Sequence, residues 1–130
     1  QFIASFTGIK NFFKARAFPP KGEFRTSIAI LENGITICIH SIVEECTGMV
    51  VISGNEIVLS VEKQQTSMIN NFEGVVKDIF RTGHGVEVLI DIGIPLYVTI
   101  TEESMQKLSV AIGKNFWVSF KASSVRFIPD

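Results

Sequence analysis

The chain has 130 residues, a formal net charge of −1 and 46% hydrophobic residues. This length allows one compact domain or two small lobes, with ample apolar material for a core. The balanced charge argues against a nucleic-acid binder, which usually carries a basic excess. No apolar run approaches the roughly 20 residues of a membrane-spanning helix. Cys38 and Cys46 share no partner motif, which predicts reduced, buried thiols in a cytosolic protein.

The predicted elements, taken in chain order, occur twice. Three segments of a first copy return in a second: residues 9–12 as 69–72, 30–37 as 89–96, and 50–59 as 118–127. The first of these matches aligns Phe12 with Phe72 and Asn11 with Asn71, and we expect both phenylalanines in the core. Such a repeat predicts two related lobes. We place the first copy at residues 1–61 and the second at residues 62–130.

Strand patterns dominate both copies. β-Branched runs at residues 26–31 and 35–40 flank Asn33 and Gly34, and Asn-Gly is a strong hairpin signal. Further strands are predicted at residues 49–52, 57–61, 74–80, 86–92, 96–100 and 115–120.

One segment has a helical pattern. Residues 101–108 begin with a capping threonine and carry acids in the first turn, where the helix dipole favours them. We expect a shorter helical turn at residues 41–45 of the first copy. Short strands with one short helix predict an all-β fold of tandem small OB-like barrels.

Signals of catalysis are missing from the sequence. No GxxxxGK[ST] loop is present to cradle nucleotide phosphates. His40 and His84 have no cysteine or carboxylate at metal-ligand spacing, so no metal site is predicted. Ser123 and Ser124 have no neighbouring base. We therefore predict a binding or regulatory module and not an enzyme.

The second copy resembles the TOBE/MOP family, the molybdate-binding modules found as molbindins and at the C-terminus of ABC-transporter ATPase subunits. The segments that carry the resemblance are residues 70–76, 86–91, 98–101, 108, 113–114 and 120–125. In the first copy, residues 2–12 and 52–60 are similar to the part of such ATPases that follows the nucleotide-binding domain. The resemblance implies the C-terminal domain of a molybdate- or tungstate-type ABC ATPase, with the ATP-hydrolysing part before Gln1.

The resemblance also implies a site for an oxyanion. The family's closing motif falls on Lys121, Ala122, Ser123 and Ser124. Its Ser-Ala-Arg-Asn motif falls on residues 67–70, where Ser67 and Asn70 match and Ile69 replaces the arginine. These six matching residues are the expected ligands of molybdate or tungstate, and no covalent cofactor is implied. A site formed by the first copy alone is not expected, because Ser53 stands where the second copy has Lys121. One or more composite sites, with Lys121 from one copy and Ser67 from another, stay open.

The resemblance implies partners and a location too. They are a homodimer formed through these domains, the membrane permease subunits of a transporter, and the cytoplasm at the inner face of the cell membrane. Three functions remain open at this point. The first is an oxyanion-sensing regulatory domain, and the second is a module without ligand that dimerises the ATPase of a sugar or ion importer. The third, an OB-type binder of nucleic acid or sugar, fits poorly with one Trp and one Tyr.

Overall fold

The strands of the computed structural model form two sheets. Residues 11–21, 26–65, 70–83 and 85–130 are described. The strands within them are β1 (Asn11–Phe18), β2 (Ser27–Leu31), β3 (Thr36–Ile39), β4 (Cys46–Ile52), β5 (Val58–Ser60), β6 (Asn70–Thr82), β7 (Gly85–Asp91), β8 (Pro95–Ile100), β9 (Asn115–Phe120) and β10 (Val125–Pro129). A helix, α1 (Glu102–Leu108), and two 3₁₀ turns (Gly54–Glu56 and Ala122–Ser124) complete the set. The predicted all-β fold with one short helix is confirmed.

The chain divides into two compact units. Unit 1 spans Gln1–Ser53 and Lys121–Asp130, and unit 2 spans Gly54–Phe120. The sheet of unit 1 has the strand order β10-β4-β1-β2-β3, and that of unit 2 has the order β5-β9-β6-β7-β8. All recorded strand pairs are antiparallel. Each sheet therefore contains four strands of one sequence copy and one strand of the other.

The two copies exchange their last strands. β5 is the last strand of the first copy, but it pairs with β9 of unit 2, where Val58 lies opposite Ser119. β10 is the last strand of the second copy, but it pairs with β4 of unit 1, where Val125 lies opposite Ile52. The limits of the compact units consequently differ from the predicted copies, residues 1–61 and 62–130. A repeat in the sequence marks related segments, and it does not tell which sheet receives the final strand of each segment.

The core of each unit comes from alternate residues of its strands. In β1 the buried positions are Asn11, Ala15 and Ala17, and in β7 every second residue from Val86 to Ile90 is buried. This period of two is what an amphipathic strand requires when one face of its sheet is covered. The fully buried large side chains of unit 1 are Ile37, Ile39, Val50 and Ile52, and those of unit 2 are Phe116, Phe120, Ile90, Leu96, Val76, Val86, Val88 and Val98.

The predicted equivalence of Phe12 and Phe72 is wrong by one residue. Asn11 lies opposite Ile52 at the end of β4, and Asn70 lies opposite Phe120 at the end of β9. The structural counterpart of Asn11 is therefore Asn70. Since neighbouring strand residues face opposite sides, Phe12 points outward with 37% of its surface exposed. Phe72 is half-buried and stacks on Phe120, with ring centroids 6.1 Å apart.

The helix prediction is correct for the second copy and wrong for the first. Thr101 caps α1, because its Oγ1 accepts a hydrogen bond from the Ser104 N–H at 3.0 Å. Residues 41–45 contain no helical turn. Instead the Ile42 N–H donates to Ser27 Oγ at 2.9 Å, which ties this segment to the start of β2.

Candidate functional site

The expected oxyanion ligands of the closing motif form one tight turn. After β9 ends at Phe120, Lys121 is extended (φ −77°, ψ 150°) and the chain then makes the 3₁₀ turn Ala122–Ser124. The Ser124 N–H donates to the Lys121 carbonyl at 3.0 Å, and the Val125 N–H donates to the Ala122 carbonyl. Small residues with hydroxyls favour such turns, and the β-branched Val125 resumes the strand.

The four residues of this turn differ in their burial. Ala122 is buried, Lys121 and Ser123 are exposed, and Ser124 is half-buried. In the described part of the chain no ion pair involves Lys121. The turn thus combines an exposed ammonium group, the exposed Ser123 and the half-buried Ser124. The N–H groups of Ala122 and Ser123 also have no carbonyl partner within the turn, so every group named here can donate a hydrogen bond.

The other expected ligands lie elsewhere in the fold. Asn70 begins β6 in unit 2, is 3% exposed, and stands opposite Phe120. The motif residues 121–124 belong to unit 1. Ser67 and Ile69 lie outside the described residues. The structure therefore brings together Lys121, Ala122, Ser123 and Ser124, and it assigns Asn70 to the other unit.

Two structural features were not predicted from the sequence. Asn70, and not Asn71, is the counterpart of Asn11, and both are buried (3% and 1% exposed). The second feature is a 3₁₀ turn in the first copy, Gly54–Glu56, that matches Ala122–Ser124 in position after the equivalent strand. The match of Asn11 with Asn70 follows from the pairing of β1 with β4 and of β6 with β9, which similar residues in the two copies do not reveal.

Other chemistry is not indicated by the described residues. They contain no group of three or more histidine, cysteine or acidic side chains that is arranged to hold a metal ion. His40 is exposed beyond the end of β3, and His84 lies outside the described residues. Among the described helices none has the length and apolar character needed to cross a membrane. The donor-rich turn after β9 is therefore the best-defined candidate site.

The second copy matches a known family model. Residues 66–127, slightly less than half of the chain, match the model of the TOBE domain. The matched segment covers most of unit 2 and continues through the turn 121–124 into β10 of unit 1.

One curated relative covers nearly the whole chain. The molybdate/tungstate import ATP-binding protein WtpC of Pyrococcus abyssi is 33% identical over 126 residues, which is 95% of this chain. The chain spans about a third (34%) of the length of that protein. The TOBE domain and the first copy are thus both related to one segment of an importer's ATP-binding protein.

A solved structure has the same fold. The cytoplasmic molybdate-binding protein ModG, in a crystal form with molybdate bound, superposes with a TM-score of 0.80 at 18% identity. The match covers 94% of this chain and 97% of ModG. At this identity the likeness concerns the fold, and it confirms the predicted MOP-type architecture.

Proposed function

We propose that this chain is the oxyanion-binding regulatory part of an ABC importer's ATP-binding protein, with molybdate or tungstate as its ligand. The observation that carries the proposal is the donor-rich turn at residues 121–124, which lies within the segment that matches the TOBE domain model. The relationship to WtpC supports the transporter context, and the fold shared with ModG supports the ligand class. The chain itself performs no catalysis in this proposal, and ATP hydrolysis belongs to another part of the protein.

The chemistry of the turn suits such a ligand. Molybdate and tungstate are tetrahedral dianions that carry no proton at neutral pH, so they accept hydrogen bonds and donate none. The Lys121 ammonium group, the hydroxyls of Ser123 and Ser124 and the N–H groups of Ala122 and Ser123 can all donate hydrogen bonds to such an ion. Charge-assisted hydrogen bonds to an anion are the strong ones, so Lys121 contributes most.

The proposed role of binding is regulation. A bound oxyanion favours the domain arrangement to which it binds more tightly, and this shift in population changes the activity of the transporter. Transport then falls when the cytoplasm is replete with the ion. The partners in this proposal are a second copy of the protein and the membrane permease subunits, and the location is the cytoplasmic face of the membrane.

Calorimetric titration tests the proposal directly. Tungstate and molybdate should bind the chain saturably, while phosphate, which carries a proton at neutral pH, should bind more weakly because the turn 121–124 holds no carboxylate to accept that proton. K121A should weaken tungstate binding about 10- to 100-fold through loss of the charged donor. K14A, which removes an exposed lysine of β1 in unit 1, is the matched control and should leave binding unchanged. Absence of tungstate binding at millimolar concentration would contradict the proposal.

A second candidate function is favoured by one observation. Ile69 occupies the position of the motif arginine, which removes a cation expected near the ligand. A TOBE domain without ligand would serve as a dimerisation module of the ATPase. Sedimentation equilibrium with and without tungstate separates the two functions. A dimer of unchanged affinity in the presence of the ion supports the second, and a shift on adding the ion supports the first.

A further inference from the structure

The two 3₁₀ turns of the chain are structural equivalents. One residue separates each turn from the strand before it, which is β4 in the first copy and β9 in the second. Each of these strands pairs with the first strand of its own copy, β4 with β1 and β9 with β6. Each then leads into the strand that joins the sheet of the other copy. We call residues 121–124 the second-copy turn and residues 53–56 the first-copy turn. Position by position, Ser53 corresponds to Lys121, Gly54 to Ala122, Asn55 to Ser123 and Glu56 to Ser124.

These equivalent turns carry opposite charges. The second-copy turn presents an ammonium group and two hydroxyls, whereas the first-copy turn presents a hydroxyl, an amide and the exposed carboxylate of Glu56. Within the described residues no ion pair involves Glu56, so nothing there neutralises it. A dianion at hydrogen-bond range is attracted by one turn and repelled by the other. Coulomb's law makes each such charge worth about tenfold or more in affinity, even in water.

We propose that each chain binds a single oxyanion, at the second-copy turn in unit 1, and that Glu56 makes the first-copy turn reject anions. This inference rests on the proposed oxyanion function and adds the number of sites and the residue that sets this number. Glu56 acts here as a specificity-determining residue, because the charge at its position decides whether an otherwise equivalent turn accepts a dianion.

Equilibrium dialysis against tungstate, with metal analysis of the protein, counts the sites. The unaltered chain should bind one equivalent at the lowest tungstate concentration that saturates it, and K121A should bind clearly less at that same concentration, as the expected loss of affinity requires. Two equivalents, or an undiminished equivalent in K121A, would overturn the inference while leaving the oxyanion function intact. No bound tungstate at all would instead contradict the proposed function, so the two failures are distinguishable.

A gain of binding tests the role of Glu56. The double variant S53K/E56S gives the first-copy turn the charges of the second, and it should bind a second equivalent. E56Q alone should bind this second equivalent more weakly, because it removes the repulsion without adding a cation. E62Q, which neutralises another exposed glutamate of unit 2, is the matched control and should still bind one. Variants that keep the circular dichroism of the parent chain yet remain at one equivalent would show that Glu56 does not set the number of sites.

Discussion

Ser119 Oγ donates a hydrogen bond to Asn71 Oδ1 at 2.6 Å, across the pair of strands β9 and β6. Ser119 lies between the core residues Val118 and Phe120 in β9, so its side chain faces the opposite side of the sheet, yet it is fully buried. A buried hydroxyl on this face of the sheet requires a partner, and Asn71 supplies it. Asn71 therefore has a structural role in joining β6 to β9.

Removal of this hydrogen bond should destabilise the chain. S119A should lower the free energy of unfolding by about 1–2 kcal/mol, because the Asn71 oxygen loses a donor in a partly buried place. Urea denaturation followed by circular dichroism measures the change. S60A is the matched control, since the Ser60 hydroxyl donates to the Glu62 carbonyl in an exposed position and its loss should cost much less. Equal effects of the two variants would contradict the assigned role.

The sequence was sufficient for the fold class but not for the register of the repeat. Alternating apolar residues and the Asn33-Gly34 turn predicted the strands, since both depend on local chemistry. The match of Phe12 with Phe72 relied on similar residues in the two copies, and it differs from the structural alignment by one residue. A shift of one residue along a strand moves each side chain to the other face of the sheet. Phe12 is therefore exposed, although the sequence match placed it in the core.

Only part of the candidate site was accessible from the sequence. Residues 121–124 were predicted together because a single short motif holds them, and the structure forms them into one turn. The grouping of Asn70 with them was an inference from the resemblance, and Asn70 belongs to unit 2. The exchange of β5 and β10 depends on pairing between distant segments, which local patterns do not encode.

Gly48 of β4 should tolerate no side chain. A Cβ at this position would collide with the Ile128 carbonyl oxygen, and it would lie 2.8 Å from Phe127 Cζ and 2.9 Å from Pro129 Cα. These contacts are mostly with the β10 backbone, which cannot move without breaking its pairing with β4. G48A should therefore lower the free energy of unfolding by about 1–3 kcal/mol. Thermal denaturation measures this, and G83A, where a Cβ meets nothing within 4 Å, should be nearly neutral.

The cap of α1 should contribute measurably to stability. Thr101 Oγ1 accepts from the Ser104 N–H, and its own hydroxyl donates to Ser104 Oγ at 3.0 Å. T101A should cost about 1 kcal/mol of unfolding free energy, while T101S retains the acceptor and should cost much less. Urea denaturation of both variants tests this. A T101S variant as unstable as T101A would point to packing of the threonine methyl group in place of capping.

The Cys38 thiol should make stability depend on pH in the alkaline range. Cys38 lines an apolar cavity of about 410 Å³ with Phe18 and Ile28, and desolvation there raises the pKa of its thiol. As the pH rises past the ordinary thiol pKa of about 8.5, the unfolded chain loses this proton while the folded chain keeps it. The folded state then binds more protons, so the free energy of unfolding falls with rising pH.

The measurement compares slopes between variants. The free energy of unfolding of the parent chain should fall more steeply between about pH 8 and pH 10 than that of C38S, which has no thiol to titrate at this position. C46S keeps Cys38 and should retain the slope of the parent. An unchanged slope in C38S would assign the alkaline loss of stability to other groups.

The exchange of the last strands predicts which fragment folds. The fragment of residues 54–120 keeps all five strands of its sheet, β5 to β9. The fragment of residues 62–130, of nearly the same length, follows the sequence repeat but loses β5 and retains β10 without β4 to pair with. We expect the first to be a stable monomer, and the second to be unfolded or to associate through its unpaired strand and sheet edge. Circular dichroism and sedimentation velocity of the two fragments decide this. A stable monomer of residues 62–130 would require β10 to fold back into the place of β5, and it would make the repeat the true folding unit.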